Sequence, residues 1–228
     1  MPPGSKSGVL RAAIFGANDG LVSNLALVMG VAGAGVDRSL VLLAGVAGLL
    51  AGAFSMAAGE YVSMRAQREH FEWLIERESA ELAADPEGET QELRMLLHRK
   101  GMPEDIAGLA AVALMRDPAT ALNVHAREEL GLDPDELGSP LAAAAASFAT
   151  FMLGALIPIV PYIFTEKVAA AALSVTGSIV ALFAVGASIT IFTRRSWFVS
   201  GARMVAIGAG AASVTFVIGR LLGVSRLS

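Results

Sequence analysis

The chain has 228 residues, 54% of them hydrophobic and only 17% charged, with a mean hydropathy of +0.60, which excludes an ordinary soluble domain and indicates a protein that crosses a membrane several times. The net charge of −4 conceals an asymmetry: residues 69–136 hold 17 acidic and 6 basic residues, a net of −11, while the remainder carries +7. With no cysteine, a disulfide framework and a thiolate metal site are both excluded, and any metal must be held by oxygen, imidazole or thioether ligands.

The opening MPPGSKSG is too short and too polar for a cleavable signal, so the first apolar run, residues 12–36, is expected to stay in the mature protein. It contains Asn18-Asp19-Gly20. A carboxylate inside a membrane run is a functional candidate by default, and Ser23 lies one turn on; the alternative is that this turn-prone triplet caps the run at the membrane boundary. A short turn at Asp37-Arg38-Ser39 leads into a second run, residues 39–59, so the two form a tight membrane hairpin. Met56 lies inside this run as a soft thioether or as packing, and Glu60 marks its end.

No Gly or Pro follows Gly59 until Pro86, so the second run is expected to continue as one rod through residue 84, about 37 Å beyond the membrane. On that rod Phe71, Leu74, Ile75 and Leu82 share a side with Glu78 and Glu81, whereas Glu69, Glu72 and Glu76 face elsewhere. Carboxylates placed where packing should occur need cations, because burying them alone costs several kcal/mol each, on the order of 3–5. Asp85-Pro86 breaks the rod, and the next helix runs to Arg99 with Leu93, Leu96 and Leu97 apolar and Glu89 and Glu92 on the same face. Gly101-Met102-Pro103 breaks again, and residues 104–115 form a short helix whose apolar positions are Ile106, Leu109 and Val112. After Asp117-Pro118 a further helix carries His125, Glu128 and Glu129 and stops at Gly131.

Glu78/Glu81 and Glu89/Glu92 are i,i+3 pairs, and His125 with Glu128 and Glu129 adds a cluster at i+3 and i+4. Oxygen-rich ligands with one imidazole suit Fe²⁺ or Mn²⁺. The competing reading is a solvated acidic face paired with Arg77, Arg94 and Arg127. As a ligand, His125 would make metal binding weaken as protons compete near neutral pH.

Residues 141–165 form the third membrane run, with Pro158 and Pro161 expected to kink its far end. Glu166-Lys167 is a turn, residues 168–193 are the fourth run, ended by Arg194-Arg195, and residues 204–219 are a short fifth run between Arg203 and Arg220, with Trp197-Phe198 at the interface. The expected fold is thus an all-α membrane protein of five transmembrane helices with a soluble helical insertion between the second and third: residues 9–59, then an acidic domain over 60–138, then 139–223. Lys6, Arg11, Arg65, Arg68, Arg194, Arg195 and Arg203 outnumber Arg38, Lys167, Arg220 and Arg226 opposite, which makes the side of the N-terminus and the acidic domain cytosolic. Gly48-x-x-x-Gly52, Gly30-x-x-x-Ala34 and Gly208-Ala209-Gly210-Ala211 permit close helix contacts or a dimer.

Three stretches in this order, Phe15-Gly-Ala-Asn-Asp-Gly-Leu-Val-Ser23, Ser55-Met-Ala-Ala-Gly-Glu-Tyr-Val-Ser63 and Gly154-Ala-Leu-Ile-Pro-Ile-Val-Pro-Tyr162, resemble the vacuolar iron transporter family over residues 9–223. The resemblance implies a homodimer of five-helix subunits in the lipid bilayer, exporting cytosolic Fe²⁺, in some members Mn²⁺, in exchange for protons. It implies Asp19 and Met56 on the membrane path, and Glu78, Glu81, Glu89, Glu92 and Glu129 as ligands of a cytosolic metal-binding domain; Glu60, which the resemblance does not supply, is expected to join the path from a different depth, given that Gly48 leaves a carboxylate missing. No permanent cofactor and no nucleic-acid partner are implied. The host would be the cell membrane in a prokaryote and the vacuolar membrane in a eukaryote. Two departures stand out: Gly48 where plant members carry a glutamate, and His125-Ala126 where the family reads Met-Glu.

Two other classes compete. A membrane-anchored di-iron ferrous oxidase would also pair carboxylates on helices, but its usual Glu-x-x-His is absent, since His70, His98 and His125 follow Gln67, Met95 and Leu122 at that spacing. A membrane adaptor that docks a basic partner on its acidic domain leaves Asp19 unexplained.

Overall fold

The computed structural model describes residues 5–165, 167–193 and 196–224. The turn expected at Glu166 and the flanking arginines Arg194, Arg195 and Arg226 lie outside the described residues. Helix α1 spans Ser5–Gly33, and α2 is a single helix over Arg38–Ala84. Asn18-Asp19-Gly20 is therefore interior to α1 and forms neither a turn nor a cap. Among the described residues, five helices are long and apolar enough to cross a membrane: α1, α2, α6 (Pro140–Ile159), α8 (Lys167–Ser188) and α10 (Trp197–Val224).

The chain divides into two compact units: Val62–Ser139 with the start of α1 up to Gly8, and Val9–Tyr61 with the chain from Pro140 onward. In the acidic unit, the second part of α2 is followed by α3 (Pro86–Arg99), α4 (Glu104–Leu114) and α5 (Pro118–Glu128). Local chemistry sets these boundaries. Asp85 caps α3 by accepting from the Gly88 N–H at 3.0 Å, and Asp117 caps α5 by accepting from the Thr120 N–H at 2.9 Å, each with proline at the first helical position. Gly101 and Gly131, at φ +97° and +66°, supply the left-handed residues that end α3 and α5. The buried apolar residues include Met64, Leu93, Ala107, Ala111, Ala121 and Ala126, and His125 and Glu78 are buried as well. Ile106, Leu109 and Val112 do not pack inward. They are exposed, Leu109 by 76%, because α4 turns its alanines to the core.

In the apolar unit α1 stands between two clusters. Val28 joins Val41, Leu49 and Ala53 of α2, Phe151, Ala155 and Ile159 of α6, and Tyr162, while Leu21 and Leu25 join Leu182 of α8 and Ala212 of α10. Small residues permit this. A side chain at Gly20 would run into the Phe151 carbonyl of α6, and one at Gly219 into the Gly30 carbonyl of α1. The Gly30-x-x-x-Ala34 spacing is thus occupied within one chain, since Gly219 and Gly223 both abut it, and Gly208 lies against Leu182.

The third run breaks near its far end, as its prolines led us to expect: the helix continues past Pro158 and is interrupted before Pro161, where α7 (Pro161–Phe164) begins. Two membrane runs differ from expectation. The fourth is interrupted at Ile189 before α9 (Thr190–Thr193), where the Ser188 and Thr190 hydroxyls donate to the Val185 and Ala187 carbonyls and compete with the helical ladder. The fifth is not short: α10 has 28 residues and includes Arg203 and Arg220.

Candidate metal centre and membrane cavity

In the acidic unit, four side chains converge: Glu78 from α2, Glu89 from α3, and His125 with Glu129 from α5, their ligand atoms all within 4.8 Å of one another. His125 is wholly buried and Glu78 is 3% exposed. His125 Nδ1 stands 2.9 Å from Glu78 Oε1, 3.5 Å from Glu89 Oε2 and 3.7 Å from Glu129 Oε2. Yet both ring nitrogens and Glu78 Oε1 lack an aligned hydrogen bond, so the short distance reflects convergence on a common point and not a made bond. Ligands about 2.1 Å from one divalent ion lie about 3–4.2 Å apart, which these separations approach. Burial, and after it the charges of Glu129, Glu89, Glu81 and Glu92, pushes the Glu78 carboxyl up to about 7. Burial also raises Glu89, with His125 opposing and Glu92 adding to the rise. Such a site calls for a cation, and three carboxylates with one imidazole suit Fe²⁺ or Mn²⁺.

Of the seven residues expected here, Glu81, Glu92 and Glu128 stand outside the converging four. Glu81 accepts from Arg77 Nε at 2.9 Å, and Glu128 pairs with Lys100. Glu92 is half-buried, near enough with Glu81 to raise Glu78 electrostatically. The arginine pairs weighed as the competing reading exist for Arg77 and Glu81, whereas Arg94 bonds Glu104 at 2.5 Å and Arg127 bonds Asp133 at 3.0 Å. None of them reaches the converging four.

In the apolar unit, a cavity of about 410 Å³ is lined by Asp19, Ser23, Asn24 and Leu27 of α1, by Gly48, Gly52, Ser55, Met56, Gly59 and Glu60 of α2, and by Phe151 of α6. The helical period explains the lining, since 19, 23 and 27 share one face of α1, and 48, 52, 56 and 60 one face of α2. Gly48 and Gly52 let Leu27 and the Phe151 ring approach the α2 backbone, since a Cβ at the first would run into Leu27 Cδ2 and one at the second into Phe151 Cζ. All three path residues expected from sequence, Asp19, Met56 and Glu60, thus meet on this one cavity. Glu60 is bound by Arg11 at 3.2 Å and is 15% exposed. The Ser23 hydroxyl donates to the Asp19 carbonyl oxygen at 2.5 Å. Gly48 and Glu60 share the α2 face but lie twelve residues, about 18 Å, apart along it, so Glu60 serves the opposite end of the lining. Asn24 and Phe151 were not singled out from sequence. An amide within an apolar run, five residues after Asp19, was the available signal for the first; nothing local marks the second.

The chain also matches known proteins over most of its length. The model of the VIT family matches residues 10–220. The chain is 32% identical over 209 residues to vacuolar iron transporter 1 of Oryza sativa subsp. japonica, covering 91% of this chain and 83% of that protein. It is 31% identical over 215 residues to vacuolar iron transporter 1 of Arabidopsis thaliana, covering 94% and 86%, and 35% identical over 213 residues to the vacuolar iron transporter of Acanthamoeba castellanii, covering 93% and 77%.

Proposed function

The chain belongs to the VIT family, and from that premise we propose that it is a secondary transporter moving Fe²⁺ out of the cytosol in exchange for protons, with Mn²⁺ the second ion its ligands admit. The observation that carries this reading is the meeting of Asp19, Met56 and Glu60 on one cavity between α1 and α2. A divalent ion that sheds water inside an apolar helix bundle needs counter-charge, and Asp19 and Glu60 supply two negative charges. The Met56 thioether favours a transition metal over Mg²⁺ or Ca²⁺. Without metal, Arg11 neutralises Glu60; an arriving ion takes that carboxylate from the guanidinium. When the ion leaves, Asp19 is left uncompensated in the bundle, and a proton restores its neutrality for the return.

The buried cluster of Glu78, Glu89, His125 and Glu129 serves as a second metal site that gathers the ion from the cytosol, the side assigned to it by the distribution of arginine and lysine. The family resemblance supports a homodimer, for which the outward stripe Leu43, Val46, Leu50 and Phe54 of α2 offers a face. The mass of the detergent-solubilised particle checks it. The named relatives are transporters, which favours transport over the membrane-anchored oxidase.

Reconstitution into proteoliposomes with competing Fe²⁺, Mn²⁺ and Zn²⁺ under an imposed pH gradient tests the proposal. Proton-coupled Fe²⁺ flux is expected, and Asp19→Asn, which keeps shape and removes charge, is expected to abolish it. Flux from Asp19→Asn equal to wild type would reduce Asp19 to a structural residue, and flux indifferent to the pH gradient would sink the exchange mechanism.

A further inference from the structure

The cavity holds one polar group that neither the resemblance nor the proposed path uses. Asn24 is 2% exposed, and its Nδ2 donates to the Ala155 carbonyl oxygen of α6 at 2.7 Å. Only the NH₂ end of a carboxamide can donate to a carbonyl, so that bond fixes which way the amide faces. The Oδ1 end is buried with no partner, and Asn24 lines the cavity. Opposite it is Gly48, where a Cβ would stand 3.0 Å from Oδ1. The wall facing the amide oxygen is therefore bare backbone, with a Leu27 methyl packed beside it, nearer still to the same Cβ position. A buried carbonyl left unpaired is unfavourable, and such a group in a native structure calls for an unseen partner.

We propose that Asn24 Oδ1 is a metal-coordinating oxygen of the membrane cavity, a hard neutral ligand that faces the bare backbone of Gly48 across the lining. The proposal rests on the transport reading and extends it. An ion that has surrendered waters to enter the bundle needs oxygens to replace them, and an amide oxygen does so as backbone carbonyls do. Asp19, Asn24 and Met56 together then offer a charged oxygen, a neutral oxygen and a thioether. Neutrality has a consequence: Asn24 lends coordination without adding a charge that must be neutralised when the ion departs.

Two roles of Asn24 must be separated, the oxygen toward the cavity and the N–H that ties α1 to α6. Asn24→Leu removes both. Asn24→Asp keeps an oxygen and gives up the donor. Gly48→Ala leaves the bond to Ala155 but presses a methyl toward Oδ1 and Leu27. The probe is Mn²⁺, followed by electron paramagnetic resonance as binding to the full-length detergent-solubilised chain and as uptake into proteoliposomes, with Asp19→Asn as the reference that lacks the membrane site. Asn24→Leu is expected to bind Mn²⁺ at that site about tenfold more weakly, or to lose it. Asn24→Asp is expected to bind at least as tightly as wild type, and Gly48→Ala more weakly. Wild-type binding by Asn24→Leu overturns the assignment. So does an Asn24→Asp variant as defective as Asn24→Leu, since the amide would then be only a brace for α6. Should Asn24→Leu fail to fold, Gly48→Ala decides, and unchanged affinity there overturns the proposal. If wild-type vesicles move neither Mn²⁺ nor Fe²⁺ while this binding pattern holds, the transport reading falls and the ligand assignment stands; if they move Mn²⁺ and Asn24→Leu does so equally, the reverse follows.

Discussion

Glu78 carries more consequence than any other residue of the acidic unit, because it is buried and its carboxyl is pushed up to about 7 from an ordinary 4.5. Between those two values the folded chain holds a proton that the unfolded chain has released. Stability of the metal-free acidic unit therefore falls as pH rises through this window, by on the order of 3 kcal/mol once Glu78 is ionised. Hydrogen exchange in α3 and α5, corrected for intrinsic rates, is expected to be slower at pH 5.5 than at pH 8 without metal, and Glu78→Gln to remove most of that difference. An unchanged pH slope in Glu78→Gln would assign the effect elsewhere. Metal binding runs the other way, since a coordinating carboxylate must lose its proton, so affinity falls as pH drops through about 7. From sequence, His125 is expected to carry part of that dependence, with the carboxylates as the alternative; the structure sets Glu78 Oε1 2.9 Å from His125 Nδ1, so Glu78→Gln is expected to flatten the profile in part. Glu81→Gln is expected to matter far less for metal titration, because Glu81 is half-exposed and bonded to Arg77, a pair of the kind worth ~0–1 kcal/mol. The spacing of the glutamates put Glu78 and Glu81 on one helix face, but the partners that separate them, Arg77 beside one and His125 beyond the other, depend on rotation and tertiary packing. For the same reason Glu128 could not be told from Glu129 until Lys100 was seen to claim it.

Among the elements, those set by local chemistry were legible and those set by neighbours were not. The absence of Gly and Pro between Gly59 and Pro86 gave α2 as one rod, and the Asp-Pro steps gave the starts of α3 and α5. In α4 the larger apolar residues suggested the packing side, whereas the folded helix buries Ala107 and Ala111 and leaves Leu109 outside. Close approach to neighbouring helices favours the small side chain there, a preference that no count along a single helix reveals. Leu109→Lys is therefore expected to change the stability of the acidic unit by no more than ~0.5 kcal/mol, while Ala111→Leu costs about 1–3 kcal/mol by overpacking. Denaturant titration followed by exchange in α4 and α5 checks both, and a larger loss from Leu109→Lys would mean that this face is covered. The length of α10 was hidden by Arg203, which reads as a terminus in a hydropathy profile although the helix carries on through it to Trp197.

For the whole molecule, the proposed exchange mechanism predicts how transport should respond to voltage. In that mechanism the loaded cavity would hold a divalent ion against Asp19 and Glu60, which balance it, with Arg11 released toward solvent, where its side chain is already 55% exposed. After the ion left, Glu60 would be neutralised again by Arg11, and only Asp19 would require a proton. Each proposed cycle would then export two positive charges and return one. Net movement of one charge couples to membrane potential by about 2.3 kcal/mol per 100 mV, so the steady-state metal gradient is expected to shift about fiftyfold when a potassium diffusion potential of that size is imposed on proteoliposomes. Arg11→Gln leaves Glu60 without its guanidinium, so a second proton must return with each cycle. That variant is expected to become insensitive to voltage and more steeply dependent on the pH gradient. A wild-type gradient that ignores voltage would show that both carboxylates carry protons, and would reduce the Arg11–Glu60 pair to a contact with no part in the cycle.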